Sequence, residues 1–378
     1  MISPKNKVII HIISSITDHG AQKNLILFIK KIKEKGFESH KIISIKKPEE
    51  SSNIYIQLKK MGIPIYKFNL KALFLNKSLQ QINKKKQAII FFGWMYHGML
   101  IAFLMHKIYF SNSQLLWTIR HGEPFHKGIN KLTKLIILTL SLINKYQKIP
   151  ILVNSFCGIK NHIKIGFRSK QINYWPNFLQ SNNSYQLKLP TKNKKEYIVL
   201  YPARYHPQKN HDMSLKVLKI LKNKYKLPIK LILVGENIES YKTKLVKDYD
   251  YNNLFLNSIK FIEQRKNIKE YYKKSDIVIS TSSFGEGLQN IILEGLYFGR
   301  LVFSTRAGDA SRILTKEYLC NTNDHKIMAK KIAYTINKIN NDSKFQESLI
   351  CNHAKQIKKI NKLCDTNLIL ETFIKNIK

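Results

Sequence analysis

The feature that most constrains this chain is an alternation, running almost its whole length, of short apolar runs with amphipathic stretches of helical period. Residues 8–13 are apolar except for His11. Gly20 supplies a turn after them, and Leu25, Ile29 and Ile32 then recur at i, i+4 and i+7 on a helical face that stops at Gly36. Further strand-like runs fall at 42–45, 65–68, 88–92, 115–119, 151–153 and 172–175. Strands separated by helical patterns predict βαβ units and a largely parallel sheet, because parallel neighbours need a crossover long enough to hold a helix.

The pattern breaks over 177–195, where Asn, Ser, Gln and Lys crowd around Pro190 with little apolar periodicity. A second series starts with 197–201 and continues through a helix carrying Met213, Val217, Ile220 and Leu221 on one face. Strands at 231–234, 277–280 and 301–305 follow. With 378 residues, the chain is too long for one ordinary core and suits two. The expected organisation is α/β, two Rossmann-like doubly wound domains in tandem. The first covers 1–180, a linker 181–195, the second 196–360, and a C-terminal helix over 361–378 is able to cross back to the first domain. In such sheets ligands bind beyond the carboxyl ends of the strands, so chemistry is sought in the loops after them.

Composition narrows the class. The four cysteines, at 157, 320, 351 and 364, form no C-x-x-C pair, which argues for reduced thiols and against a disulfide scaffold or structural zinc. The run 8–16 is broken by His11 and two serines and lacks a small-residue cleavage site, so it reads as a strand and not as a targeting segment. The longest apolar stretches, 99–105 and 135–143, fall short of the roughly 18 residues that span a bilayer, and the expected location is cytoplasmic. The net charge of +41 is spread along the chain. Compositional bias towards Lys, Asn and Ile accounts for part of it, and attraction to an anionic membrane surface for most of the rest. No dense basic cluster with interleaved aromatics is present, so nucleic acid is not an expected partner.

Two segments carry candidate chemistry. Pro202-Ala203-Arg204-Tyr205-His206-Pro207-Gln208-Lys209-Asn210 follows a strand and sets two cations, Arg204 and Lys209, just before a helix expected to start near Asp212. Fixed cations beside a helix N-terminus suit a diphosphate, though a solvated basic loop has the same composition. Ser282-Ser283-Phe284-Gly285-Glu286-Gly287-Leu288-Gln289-Asn290 follows the strand 277–280 and leads into an apolar helix that contains Glu294 and stops near Gly299. The glycines let backbone approach a ligand, and the helix start can cradle phosphate. Glu286 is suited to sugar hydroxyls and Glu294, within an apolar helix, to both ribose hydroxyls, the bland reading of either being a surface carboxylate.

Arg204 and Lys209 followed by Glu286-x7-Glu294 resemble the donor site of retaining glycosyltransferases of the GT-B fold, in particular glycosyltransferase family 4. The likeness extends to the opening strand with His19-Gly20-Ala21-Gln22-Lys23, to Val153-Asn154-Ser155 and Trp175-Pro176-Asn177-Phe178, and to Leu233-Val234-Gly235-Glu236 and Ser275-Asp276-Ile277. The resemblance implies two domains facing across a cleft and sugar transfer, with retained configuration, from a UDP- or GDP-linked donor. It also implies a saccharide or lipid-linked acceptor and a role in bacterial surface polysaccharide or lipopolysaccharide synthesis. Catalytic parts fall to His121, Arg204, Lys209 and Glu286. Donor contacts fall to Gly20, Arg204, Lys209, Gly287, Leu288 and Glu294, and neither metal nor cofactor is expected.

Two positions depart from the family pattern. His19-Gly20 stands where it has a double glycine, and Arg312 where it commonly has a glutamate. A sugar-nucleotide epimerase of the same fold and a degenerate binding protein are the alternatives. Asp248-Tyr249-Asp250 has the D-x-D form of a cation site but lies on a polar stretch and is read as structural. The Leu- and Ile-rich run 135–143, flanked by Lys131, Lys134, Lys145 and Lys148, fits either a helix packed on the first sheet or an interfacial element at a membrane.

Overall fold

The computed structural model describes residues 3–69, 88–126, 128–179, 185–248, 253–263 and 267–377. The chain divides into two compact units, Met1–Gln180 with Cys364–Lys378, and Ser181–Leu363. Of Asp248-Tyr249-Asp250 only Asp248, the last residue of a helix, lies within the described residues.

The first unit is built on seven parallel strands in the order β3-β2-β1-β4-β5-β6-β7. They are β1 (Lys7–Ile13), β2 (Ser39–Ser44), β3 (Ile65–Lys67), β4 (Ala88–Trp94), β5 (Gln114–Ile119), β6 (Ile151–Val153) and β7 (Ile172–Tyr174). β1 registers with β2 through Val8 opposite Ser39 and with β4 through Lys7 opposite Ala88. Both sheet faces are covered, which is why the strands are near-continuous Ile, Val and Phe and not alternating. One face packs Ile9, Phe92, Trp94, Leu152 and Trp175 under helix Gly20–Lys33 and the C-terminal helix Thr366–Lys375. That last helix belongs to the first unit through Phe373 and through the Trp175 Nε1–H, which donates to the Ile369 carbonyl at 2.9 Å.

Polar groups buried in this face are chained together. The Trp94 indole donates to His11 Nδ1 at 3.2 Å, so His11 must carry its proton on Nε2 and donates it to His40 Nδ1 at 3.0 Å. His40 in turn donates from Nε2 to the Phe37 carbonyl at 2.9 Å. Both rings are therefore neutral. Burial pushes His40 down to about 4 and His11 well below the ordinary histidine range. Arg120, just beyond β5, donates to the carbonyls of Trp175 (3.1 Å) and Pro176 (3.2 Å) and to Asn177 Oδ1 (3.1 Å), with its guanidinium 4.3 Å from the Trp175 ring centroid. Burial lowers its pKa to about 9.

The second unit holds six parallel strands in the order β10-β9-β8-β11-β12-β13. They are β8 (Tyr197–Pro202), β9 (Ile229–Gly235), β10 (Ile259–Glu263), β11 (Ile277–Ser280), β12 (Leu301–Thr305) and β13 (Leu319–Cys320). Each unit runs 3-2-1-4-5-6 in its own count, the doubly wound order, the first adding a seventh strand beyond its sixth, with the switch point between first and fourth strands. In the second unit that point lies between β8 and β11. The helix after β8, His211–Asn223, buries Met213, Val217 and Leu221 as expected, with Leu215 and Leu218, but Ile220 is only half-buried. β10 and β13 had no legible signal, since Ile259–Glu263 mixes Lys260 and Glu263 into an edge strand and β13 has two residues.

Candidate active site

The loops after β8 and β11 leave the sheet on either side of the switch point, and the chain stitches them together. The Ser283 amide donates to the Gln208 carbonyl at 2.8 Å. Thr281 Oγ1 donates to the carbonyls of Lys209 (3.0 Å) and Asn210 (2.9 Å), and the buried Tyr201 hydroxyl also donates to the Lys209 carbonyl. Asn210 takes the left-handed conformation (φ 50°, ψ 59°). Its side-chain oxygen caps the helix at the Met213 amide, and its Nδ2 donates to Ser283 Oγ at 2.9 Å. A single turn of 3₁₀ helix, Pro207–Lys209, precedes it, so the long helix starts at His211.

These restraints bring Lys209 and Glu286 together. Lys209 Nζ donates to Glu286 Oε1 at 2.5 Å, with side chains 18% and 10% exposed, and Ser282 Oγ donates to the same oxygen at 2.8 Å. Separate ligand roles were expected of these two residues. In the structure they form one nearly dehydrated ion pair, where a charge lost from either side leaves the other uncompensated. Two glycines make the loop possible. Gly285 sits at φ +72°, and Gly308, at φ +63°, lies so close that a Cβ there would be 2.2 Å from the Gly287 carbonyl oxygen. The Asp309 amide donates to that same carbonyl at 3.1 Å, and Leu288 is buried.

The helix after this loop is Asn290–Tyr297. Gln289 holds the N-cap position without capping through its side chain, which accepts from Ser280 Oγ at 2.6 Å and donates to the Ala307 carbonyl at 2.8 Å. Glu294 is one turn into this helix and half-buried. It has a partner that sequence reasoning missed: the Tyr272 hydroxyl donates to its Oε2 at 2.8 Å. Tyr272 lies in the last turn of helix Ile268–Lys274 and stacks on Phe298 at 5.1 Å, and burial with the adjacent carboxylate raises its pKa well above the ordinary tyrosine range. Nothing in the local pattern marks Tyr272, which lies in another helix and meets Glu294 only through the fold.

Arg204 is half-buried in the loop after β8, whose Tyr205 amide bonds the Glu236 carbonyl after β9 at 2.8 Å. Arg204, Lys209, Glu286, Gly287, Leu288 and Glu294 thus all belong to loops and a helix start at the carboxyl end of one sheet. Gly20 and His121 belong to the other unit. Gly20 is exposed and opens helix Gly20–Lys33, behind His19, whose Nδ1 lies 3.0 Å from Thr17 Oγ1. His121 follows β5, accepts the Glu123 amide on Nδ1 at 3.2 Å and stacks on His126 with ring centroids 4.8 Å apart. Among the described residues no cluster of three His, Cys, Asp or Glu has the geometry of a metal site. Arg312 lies in the short helix Ala310–Ile313, its amide bonded to the Asp309 carbonyl at 2.9 Å.

Residues 186–356 match the family model described as glycosyl transferases group 1. A Campylobacter jejuni α-1,4-N-acetyl-D-galactosaminyltransferase, named for an undecaprenol-linked saccharide, is 28% identical over 167 residues, 43% of this chain. The matched stretch spans only 44% of that relative's length. Among solved structures, HepE of Anabaena in complex with UDP-glucose superposes with a TM-score of 0.73 at 15% identity, covering 98% of this chain and 99% of that one. A glycosyltransferase of Rickettsia africae gives 0.72 at 20% identity, covering 99% and 98%. The second unit therefore resembles the group 1 glycosyl transferases in sequence, and the chain as a whole has the fold of the GT-B glycosyltransferases.

Proposed function

We propose that the protein is a retaining glycosyltransferase of family 4 that moves a sugar from a nucleotide-linked donor to a saccharide or lipid-linked acceptor. Its setting is bacterial surface glycan synthesis on the cytoplasmic side, peripheral to the membrane. The observation that carries the reading is the convergence of Arg204, the Lys209–Glu286 pair and Glu294 at the switch point of a doubly wound sheet. An ammonium has three donors, and with one on Glu286 the others can meet a diphosphate oxygen beside Arg204. The first-turn amides of helix Asn290–Tyr297 add a favourable dipole for phosphate. Glu294 offers its carboxylate to the ribose, and Glu286 with the Gly287–Leu288 backbone faces the sugar.

In the step proposed, the bond from the anomeric carbon to the diphosphate oxygen breaks as the acceptor oxygen bonds the same face of that carbon. The acceptor proton passes to the departing phosphate oxygen. Arg204 and Lys209 stabilise the charge that accumulates there, so their contribution grows towards the transition state. No metal is required in this scheme. His121 is assigned to the sugar side of the reaction.

The test is a thermal-shift screen against UDP- and GDP-sugars, beginning with the UDP series because HepE has been solved with UDP-glucose. The wild type should be stabilised by one nucleotide series, and Glu294→Ala should lose that stabilisation. A folded protein indifferent to every sugar nucleotide overturns the reading. Tyr272→Phe is expected to weaken nucleotide binding about tenfold, because a hydrogen bond to a charged group contributes about 1.5–3 kcal/mol. The penalty should vanish for a nucleotide lacking both ribose hydroxyls. An equal loss with that analogue would mean Tyr272 acts on the fold and not through Glu294.

A further inference from the structure

The helix Lys131–Tyr146 of the first unit is apolar on two opposite sides. Ile136, Ile137 and Leu140 pack with Trp117, Ile119, Ile151 and Val153 on the sheet, so the helix has its core contact. Yet Leu132, Leu135, Leu138, Leu142 and Tyr146 are 62%, 61%, 46%, 58% and 74% exposed. At about 100° per residue these five fall within about a third of the helix circumference, opposite the buried side. Single exposed leucines need no explanation, but a continuous ridge of them does.

The charge around the ridge says what covers it. Lys134 and Lys145, both exposed, fall along one edge of it, exposed Lys131 stands within it at the N-terminal end, and Lys148 follows its C-terminal end. Residues 51–195 contain a single acidic side chain, Glu123. A second copy is a poor occupant, because pairing two such ridges in either direction sets lysines against lysines with no carboxylate on the helix to offset them. An anionic bilayer answers both features. Leucines enter the acyl boundary while lysines reach lipid phosphates from stems that lie along the apolar surface. Because the opposite side is packed on the sheet, the helix must lie in the plane of the membrane. Among the described residues no helix is long and apolar enough to cross one.

We propose that the solvent-facing leucine ridge of helix Lys131–Tyr146, with its lysine edge, docks the protein onto an anionic phospholipid membrane. The inference deepens the peripheral-membrane part of the reading above and rests on a helix of the first unit that contains none of the donor residues.

The test is flotation of the full chain with phosphatidylglycerol–phosphatidylcholine vesicles, against phosphatidylcholine alone, at low salt. The wild type should float with the anionic vesicles only. Leu135→Ser with Leu142→Ser should weaken vesicle binding at least about tenfold, and Lys131→Gln with Lys134→Gln about fivefold per lysine. All four positions are exposed, so melting temperature and nucleotide-induced shift should stay unchanged, which separates failure here from failure of the donor-site reading. Ile350→Ser, an exposed apolar change in the second unit, is the control and should float like wild type. Three results overturn the proposal. In one, the leucine variant floats as well as wild type, leaving diffuse charge as the cause. In another, a wild-type dimer becomes monomeric in that variant, making the ridge a self-contact. In the third, the wild type binds no vesicles.

Discussion

Lys209→Ala is expected to lower glycosyl transfer at saturating donor by about a thousandfold, the upper end of what loss of one preorganised donor to a developing anion costs. The same variant should be less stable by about 3 kcal/mol, because it leaves the Glu286 carboxylate nearly buried without the ammonium it pairs with. The two effects have different origins and can be pulled apart. Lys209→Met combined with Glu286→Gln removes both charges together and should recover most of the stability while remaining inactive. Urea unfolding and steady-state kinetics on Lys209→Met, Glu286→Gln and their combination, beside Lys209→Ala, check this directly. If the double variant is as unstable as the sum of the singles, the pair is not coupled as the 2.5 Å contact implies. If Lys209→Ala keeps more than a tenth of the wild-type kcat, the ammonium does not stabilise the leaving group.

The first unit is expected to lose stability steeply between about pH 6.5 and 4. His40 and His162 are each held neutral by burial, with pKa values pushed down to about 4, and His11 is lowered as well. Their hydrogen bonds require the neutral rings. His162 donates from Nδ1 to the Gly158 carbonyl at 2.6 Å and accepts the Tyr96 hydroxyl on Nε2 at 2.8 Å, leaving no site for a second proton. The folded pKa lies below the unfolded value near 6.5, so the unfolded chain binds more protons in this interval. Stability is therefore complete above pH 6.5 and is lost as pH falls towards 4, by about 3 kcal/mol for each of His40 and His162. With Glu123 the single acidic residue across 51–195, carboxylate titration contributes little from that stretch. Denaturant midpoints measured from pH 7.5 to 4.5, with His162→Gln as comparison, should show a shallower slope in the variant. A flat profile in the wild type would contradict the neutral network.

The doubly wound organisation could be read along the chain because it is written in local terms. A buried parallel strand must be a short apolar run, and a crossover helix must show one apolar face, so runs such as 277–280 and 301–305 and the stripe Leu25, Ile29, Ile32 declare themselves. Lys209, Glu286 and Glu294 were legible for a related reason: charged residues in a strand-end loop, between glycines or within an apolar helix are hard to account for by packing alone. What escaped were the features that depend on a neighbour far away in sequence. Ile259–Glu263 becomes a strand because β9 offers it an edge, not because its own pattern alternates. Helix Lys131–Tyr146 posed two readings, a packed helix or an interfacial one. The structure shows one side packed on the sheet and the other left to solvent, which no one-dimensional pattern could apportion.

Sequence by itself determined the class of fold, the strand-end loops that carry charge and the identity of the residues in them, since each follows from the period and chemistry of a few adjacent side chains. Tertiary structure alone decided their pairing. Lys209 bonds Glu286 across 77 residues, Tyr272 orients Glu294 across 22, and the Trp94–His11–His40 chain links three strands through tautomers that only contact distances reveal. The physical reason is that a side chain's protonation and orientation are set by the few atoms within about 3 Å of it, and in a parallel sheet those atoms come from strands that a whole helix separates along the chain.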